Sequence, residues 1–218
     1  MCRLACIEKR FKTLPAWLAQ LEKSCGGDGN GVVIGRSILK GVNVSIKDTL
    51  AFLYQDARPA LWHTRKVSSG KKCGSLCHPF PCDGGWLAHN GHWEGGNYAA
   101  GLIRDLGFSN YDEPLSDTKV FSMLVDRLGF ADACKRWDPP GVWLHLTHGG
   151  KLSVYKRGGS LHYARKLRAW GSEPAKQGSW IEVEDGLYLP GDKPKAKKET
   201  LWFLGNGGKL ILNYPVKT

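Results

Sequence analysis

The chain begins Met1-Cys2-Arg3-Leu4-Ala5-Cys6-Ile7. Residues 3–7 are mostly apolar and predict a short buried strand directly behind Cys2. Because cysteine is a small second residue, we expect the initiator methionine to be removed, which makes Cys2 the first residue. An α-amine has a pKa near ~8 and a thiol one near ~8.5, so the amine can accept the thiol proton. Residue 2 then holds a nucleophile and its base, although cysteine also occurs at this position by chance.

The composition indicates a globular protein with a substantial core. The 218 residues are 42% hydrophobic and 23% charged, enough for one large domain or two small ones. No apolar run approaches the ~20 residues that span a bilayer, and the first twelve residues are too charged for a secretory signal. We therefore expect a cytoplasmic protein with no membrane partner. Seven cysteines then stay reduced, and a disulfide framework is not expected.

The charge is strongly basic and unevenly distributed. The formal net charge is +11, and residues 151–218 contain 13 Lys and Arg against 6 Asp and Glu. A solvated basic surface explains single lysines, but an excess of this size indicates an acidic partner such as nucleic acid or a phosphorylated substrate. The basic C-terminal third makes a nucleic acid or nucleotide acceptor one of the partners that we consider.

Hydrophobic periodicity predicts more strands than helices, in a pattern typical of packed sheets with helices outside. Helical spacing covers residues 14–25, 46–54 and 117–128, and the Gly-rich residues 26–31 predict a turn-rich loop. Residues 66–85 predict a long irregular loop, which inside a compact domain is usually functional, and residues 192–199 predict a polar, mobile segment. The predicted strands are 3–7, 32–34, 60–64, 85–89, the hairpin 142–156, 160–165, 180–183, 186–189 and a second hairpin within 201–214.

Three polar clusters can supply the groups of a catalytic site. Arg65 follows the strand 60–64, where its guanidinium can bind a carboxylate with two hydrogen bonds. Asn90-Gly91 places a side-chain amide beside a backbone N–H, and two such donors can form an oxyanion hole. Asp117 lies at a helix start, where it can hold an ammonium group. Either Ser116 or Asp117 can also cap this helix. Each cluster alone is equally compatible with a surface arginine, an Asn-Gly turn or a helix cap.

A fourth cluster, Cys73, Cys77, His78 and Cys82, contains residue types that bind zinc. Its spacing, C-x3-C-H-x3-C, differs from the paired C-x2-C of most structural sites, and no second ligand pair follows. We expect reduced thiols here and predict no metal.

Taken in order, these segments resemble the class II (N-terminal nucleophile) glutamine amidotransferases, in particular their small stand-alone members. The resemblance extends from Cys2 to about Leu189 and rests on seven elements at plausible spacings. They are Met1-Cys2-Arg3-Leu4, Gly27-Asp28-Gly29-Asn30-Gly31, His63-Thr64-Arg65 through Gly70, His78-Pro79-Phe80, His89-Asn90-Gly91, Ser116-Asp117-Thr118, and Ser172-Glu173-Pro174 with Trp180 and Gly186 behind it.

The resemblance implies a fold and a role for each site residue. The fold is α+β, an N-terminal-nucleophile four-layer αββα sandwich over residues 2–190, followed by a basic extension, 191–218, with a hairpin. Cys2 attacks the side-chain amide of glutamine, and Asn90 and Gly91 stabilise the oxyanion. The implied substrate-binding residues are Arg65 for the α-carboxylate, Asp117 for the α-ammonium, Ser68 at the pocket wall, and His89.

No cofactor is implied, and the ammonia passes to a separate synthetase because we find no acceptor domain or phosphate-binding loop. The family pattern is not followed at Lys119, His92 and Trp93 or in the cysteine-rich loop. These departures leave the identity of the ammonia acceptor undetermined. Two alternatives remain: a hydrolase that cleaves γ-glutamyl amide conjugates, and a basic zinc-containing nucleic-acid-binding module in which Cys2 has no role.

Overall fold

The computed structural model describes residues 2–67, 72–94, 101 and 116–200, with side chains up to residue 197. The helices in this part are α1 (Leu14–Ser24), α2 (Ile46–Leu53), α3 (Asp117–Leu128) and α4 (Phe130–Trp137), with a 3-10 turn at Gly74–Leu76. The strands are β1 (Arg3–Ile7), β2 (Gly29–Ile34), β3 (Ser37–Gly41), β4 (Ala60–Arg65), β5 (Phe80–Cys82), β6 (Gly85–Asn90), β7 (Gly141–Thr147), β8 (Leu152–Arg157), β9 (His162–Ala164), β10 (Ala169–Gly171), β11 (Trp180–Val183), β12 (Gly186–Tyr188) and β13 (Ala196–Thr200).

The described strands form two antiparallel sheets. The larger has the order β13-β11-β9-β10-β1-β4-β2-β3, and the smaller has the order β12-β8-β7-β6-β5. In β1, Leu4 and Cys6 face the smaller sheet, whereas Ala5 and Ile7 face the helices α1 and α2, because strand side chains alternate between faces. Cys2 lies two positions before Leu4, so the same alternation places its side chain on the face turned toward the smaller sheet.

Three apolar clusters hold the sheets and helices together. The first packs α1 and α2 on the outer face of the larger sheet, through fully buried residues such as Trp17 and Trp62. The second, the inter-sheet cluster, includes Leu4, Leu61 and Leu144. The third packs α3 and α4 on the outer face of the smaller sheet. Burying a large apolar side chain contributes about 1.5–3 kcal/mol, so these clusters stabilise a scaffold whose sheet ends can carry polar residues.

The predicted mixed architecture of sheets with outer helices is confirmed, as are the helices α1, α2 and α3. Three predictions were wrong in part. The Gly-rich residues 29–31, predicted as a turn, belong to β2, and part of the segment predicted to be mobile, 196–199, lies in β13 and pairs with β11. The predicted irregular loop 66–85 contains the 3-10 turn and β5, which pairs with β6. The structure also adds β3, β10 and α4, which the periodicity did not reveal. The predicted hairpin within 201–214 lies outside the described residues.

Gly31 shows why β2 is rich in glycine. A side-chain carbon at this position would lie 1.9 Å from the carbonyl oxygen of His78. Only glycine permits so close an approach of the two backbones. The composition that predicts a turn therefore reflects close packing instead. Within the described residues, no helix is both long enough and apolar enough to cross a membrane.

Candidate active site

Cys2 lies at the N-terminal end of β1 and contacts the chain that leaves β4. Its Sγ accepts a hydrogen bond from the Lys66 N–H at 3.4 Å and lies 3.7 Å from the Lys66 carbonyl oxygen. The residue is half-buried. Burial raises the pKa of the Cys2 thiol above its ordinary value, and the Lys66 hydrogen bond opposes this effect only in part. The thiol is therefore protonated at neutral pH and needs a base to become a nucleophile.

Arg65 ends β4 on the same face of the sheet as Cys2. Because side chains along β4 alternate between the two faces of the sheet, the Arg65 side chain lies on the same face as those of Leu61 and His63, which face the smaller sheet. The residue is only 7% exposed. Its positive charge acts on the Cys2 thiol, where it favours the thiolate. A buried guanidinium beside a thiol is suited to bind an anionic substrate group.

The Gly-rich loop before β2 supports this end of β4. The Asp28 N–H donates to the Arg65 carbonyl oxygen at 3.0 Å, and the Asp28 carboxylate accepts from the Val67 N–H at 3.0 Å. Lys66 and Lys72 lie 3.6 and 3.3 Å from the same carboxylate. The loop thereby fixes the backbone that carries Arg65 and contacts Cys2. Ser68, a predicted pocket residue, lies outside the described residues.

Asn90 reaches β1 through Ser172. Asn90 Nδ2 donates to Ser172 Oγ at 3.2 Å, and the same oxygen accepts from the Leu4 N–H at 3.1 Å. Ser172 is fully buried and Asn90 is 7% exposed. One N–H of the Asn90 amide therefore donates to Ser172 Oγ, which is itself hydrogen-bonded to β1. The second N–H of the amide remains for another acceptor. This arrangement orients a hydrogen-bond donor relative to β1, the strand that Cys2 precedes.

Gly91 and Asp117 fix the turn that follows Asn90. A side-chain carbon at Gly91 would lie 2.6 Å from His89 Nε2 and 3.0 Å from the Cα of Gly141, so the position has no room for a side chain. The Asp117 carboxylate accepts from the Trp93 N–H at 3.0 Å and from its neighbour Thr118. The cap of α3 is Ser116, whose Oγ accepts from the Lys119 N–H. Asp117 is therefore available to the turn rather than committed to the helix cap.

His89 is buried beneath this turn at 2% exposure. Its ring stacks on Trp143 with centroids 3.7 Å apart, and its Nδ1 lies 3.3 Å from Thr118 Oγ1 and 3.7 Å from Asp117 Oδ2. Burial lowers the pKa of His89 to about 4, although the Asp117 carboxylate opposes the shift. The imidazole is neutral at physiological pH and joins β6 to the start of α3.

Two further buried histidines, His63 and His78, lie next to His89 between the sheets. His63 Nε2 lies 3.1 Å from the His89 carbonyl oxygen, and the His63 and His78 rings are 4.0 Å apart. The His89 N–H donates to His78 Nδ1 at 3.4 Å. Burial lowers the pKa of His63 to about 3 and that of His78 well below its ordinary value. The three neutral rings form a polar layer that connects β4 and the segment before β5 to the strand carrying Asn90.

The cysteine-rich segment does not converge on a metal. Cys73 Sγ contacts Ser75, Cys77 Sγ lies 3.7 Å from the Cys73 carbonyl oxygen, and Cys82 belongs to the cluster under α3 and α4. His78 belongs to the histidine layer. Among the described residues, no group of three or more ligand-type side chains could hold a metal ion. The geometry therefore gives no support to the zinc-module alternative.

The structure brings Cys2 and Arg65 to one end of the sheets and ties Asn90 to β1. Sequence reasoning missed the link through Ser172 and the histidine layer. His63, His78 and Ser172 each lie in segments that the resemblance uses, so a signal existed, but their contacts join residues 11 to 168 positions apart. Only the packed structure shows these connections.

Two solved structures have a similar fold. One is a glutamine phosphoribosylpyrophosphate amidotransferase from B. subtilis in complex with ADP and GMP, with a TM-score of 0.64, 16% identity and 93% of this chain covered. The other is described as the allosteric regulatory enzyme of purine biosynthesis, with a TM-score of 0.64, 19% identity and 85% of this chain covered. The chain spans about half the length of these proteins, 50% and 46% respectively.

No protein-family profile matches the chain, and no curated protein matches its sequence. At identities below one fifth, the structural likeness establishes the fold. That fold, a mixed α/β structure with antiparallel sheets, is similar to those of the class II glutamine amidotransferases, to which phosphoribosylpyrophosphate amidotransferases belong.

Proposed function

We propose that the protein is a class II glutamine amidotransferase that hydrolyses the side-chain amide of glutamine through Cys2. The observation that supports this most is the link Asn90–Ser172–Leu4, because it orients a buried amide donor on the strand of the cysteine. Arg65, buried at the same end of the sheets, adds a cation for the substrate. The packing of a hydrophobic core alone would require neither this hydrogen-bonded link nor a buried arginine.

The first step needs a base, since burial keeps the Cys2 thiol protonated. With the initiator methionine removed, the α-amine of Cys2 accepts the thiol proton while Sγ bonds to the amide carbon of glutamine. The C–N bond then breaks, the proton passes to the leaving nitrogen, and ammonia departs. Water hydrolyses the resulting γ-glutamyl thioester, which releases glutamate and restores the thiol. The mechanism requires no cofactor.

Negative charge develops on the amide oxygen during the attack. The N–H of Asn90 that is not bound to Ser172 and the backbone N–H of Gly91 are the proposed donors to this oxyanion. A fixed donor in a largely buried position stabilises such charge far more than water does, and losing one donor typically costs ~10²–10³ in rate. Gly91 packs so closely against His89 and Gly141 that it has no room for a side chain, and this packing holds the backbone of the turn in place.

Glutamine is a zwitterion, so its site needs one cation and one anion. Arg65 is the proposed partner of the α-carboxylate and Asp117 that of the α-ammonium, with Ser68 at the pocket wall. Asp117 also binds the Trp93 N–H, so it couples substrate binding to the turn that carries the oxyanion donors. We assign His89 a positioning role, because its ring is buried against Trp143.

The finer points of the architecture belong to this proposal. The three apolar clusters support a four-layer αββα sandwich. Because β13 pairs with β11 in the larger sheet, this sandwich includes residues 196–200, beyond the predicted boundary at residue 190. The protein acts as a small stand-alone glutaminase unit in the cytoplasm and supplies ammonia to a separate synthetase. The net charge of +11 supports a nucleobase or nucleotide as the group that the synthetase modifies.

The test is a glutaminase assay on untagged protein. Wild type should release glutamate and ammonia in equal amounts, whereas Cys2→Ala should not. Cys25→Ala, which removes another half-buried thiol, serves as the matched control and should keep full activity. Turnover of γ-glutamyl conjugates without turnover of free glutamine would overturn the amidotransferase assignment and favour the conjugate hydrolase.

A further inference from the structure

A cavity lies at the opposite end of β1 from Cys2. It measures about 750 Å3 and is bordered by Glu8, which directly follows β1, and by the β7–β8 turn at Gly150 and Lys151. Glu8 follows Cys2 by six positions of extended chain, a distance of roughly 20 Å. The volume is within the ~300–1,000 Å3 usual for small-molecule sites. A ligand in this cavity would not contact the thiol.

The floor of the cavity is aromatic. Trp170 and Tyr188 are 6% and 7% exposed and belong to the inter-sheet cluster, and the ring of Tyr163 lies 4.4 Å from that of Trp170. The Trp170 Nε1 donates to Glu8 and the Tyr188 hydroxyl donates to the Glu184 carbonyl oxygen, so the polar atoms of both are satisfied and their ring surfaces remain apolar. Such a floor accepts a planar heterocycle.

The rim of the cavity is cationic. Lys151, Arg165, Arg168 and Lys193 line it, against two carboxylates, those of Glu8 and Asp192. Both carboxylates are already engaged: Glu8 pairs with Arg168 at 3.0 Å, and Asp192 accepts from the Leu189 N–H at 2.7 Å. Lys151, Arg165 and Lys193 make no ion pair within the described part of the chain. Three cations around one opening attract a multiply charged anion.

We infer that this cavity binds a nucleotide, with its base on the aromatic floor of Tyr163, Trp170 and Tyr188 and its phosphates at the rim of Lys151, Arg165 and Lys193. An aromatic floor under a cationic rim matches a planar ring joined to phosphates better than a purely apolar or purely ionic ligand. A cavity of about 750 Å3 has the size of a mononucleotide site, whereas a nucleic-acid strand requires an extended groove. The inference goes beyond the glutaminase chemistry and does not depend on it.

Isothermal titration with ATP and GTP, each compared with its nucleoside and with tripolyphosphate, tests the site. We expect nucleotide binding that is at least tenfold tighter than that of either fragment. Arg165→Glu and Tyr163→Leu should each weaken binding at least tenfold. Lys47→Glu, the same charge change at an exposed position on α2, is the matched control and should leave the Kd unchanged.

Several results would overturn the inference: no binding of either nucleotide, tripolyphosphate binding as tightly as ATP, an equal loss in Lys47→Glu, or binding of short oligonucleotides alone. Cys2→Ala separates the two proposals, because it should abolish glutaminase activity and keep the wild-type Kd for nucleotide.

Discussion

Replacing Ser172 by alanine tests how the structure orients Asn90. The substitution removes the acceptor shared by the Leu4 N–H at 3.1 Å and by Asn90 Nδ2 at 3.2 Å. Because Ser172 is 0% exposed, water cannot readily replace it. Each of these two buried donors costs about 1–3 kcal/mol when it is left without a partner, so we expect the free energy of unfolding to fall by about 2–6 kcal/mol. With Asn90 less firmly held, kcat should fall about tenfold, which is less than the ~10²–10³ for losing a donor outright.

The assay combines urea denaturation with steady-state glutaminase kinetics. Val183→Ala, a fully buried residue of β11, is the control, since it should cost about 2 kcal/mol of stability without loss of kcat. In an Asn90→Ala background, Ser172→Ala should lower kcat no further, because both changes remove the same oriented donor. A wild-type kcat in Ser172→Ala, or an equal kcat loss in Val183→Ala, would refute the reasoning.

Three further predictions concern the site. Asn90→Ala should lower kcat by ~10²–10³ with KM nearly unchanged; a main effect on KM would show that Asn90 binds substrate instead. Arg65→Gln should raise KM about 10- to 100-fold, because a charged hydrogen bond contributes about 1.5–3 kcal/mol; an unchanged KM would argue against carboxylate recognition. His63, His78 and His89 have folded-state pKa values below the unfolded value, so the unfolded state binds protons first as the pH falls below about 6.5. His63 and His89 should each cost about 2 kcal/mol of stability at pH 5 relative to pH 7.5, and His78 should lower stability in the same direction. Constant urea stability over this range would contradict the buried neutral layer.

The sequence predicted elements whose side chains follow a clear period. The strand 3–7 and the helix 117–128 have the predicted bounds, because the strand is a short apolar run and the helix has apolar residues at helical spacing. β13 was missed since its residues are polar. An edge strand pairs through its backbone and needs no apolar pattern. The three-residue strand β10 is too short to show a period.

The resemblance named candidate site residues, but it did not reveal the contacts that connect them. The resemblance named Cys2, Arg65 and Asn90, and the structure brings Cys2 and Arg65 to one end of the sheets. The role of Ser172 depends on a contact with Leu4 across 168 positions, which follows from the pairing of β1 with β10. Side-chain contacts between distant strands arise from sheet register, which the local pattern does not specify.

The central claim is that Cys2, as the first residue, is the nucleophile. Intact-mass measurement after treatment with 6-diazo-5-oxo-norleucine, a glutamine-analogue electrophile, tests it most directly. We predict that untagged protein lacks Met1 and gains one adduct, which peptide mapping places on Cys2 among the seven cysteines. Protein with an uncleaved N-terminal tag should stay unlabelled while keeping its thermal stability. An adduct on another cysteine, or equal labelling of the tagged protein, would contradict the account.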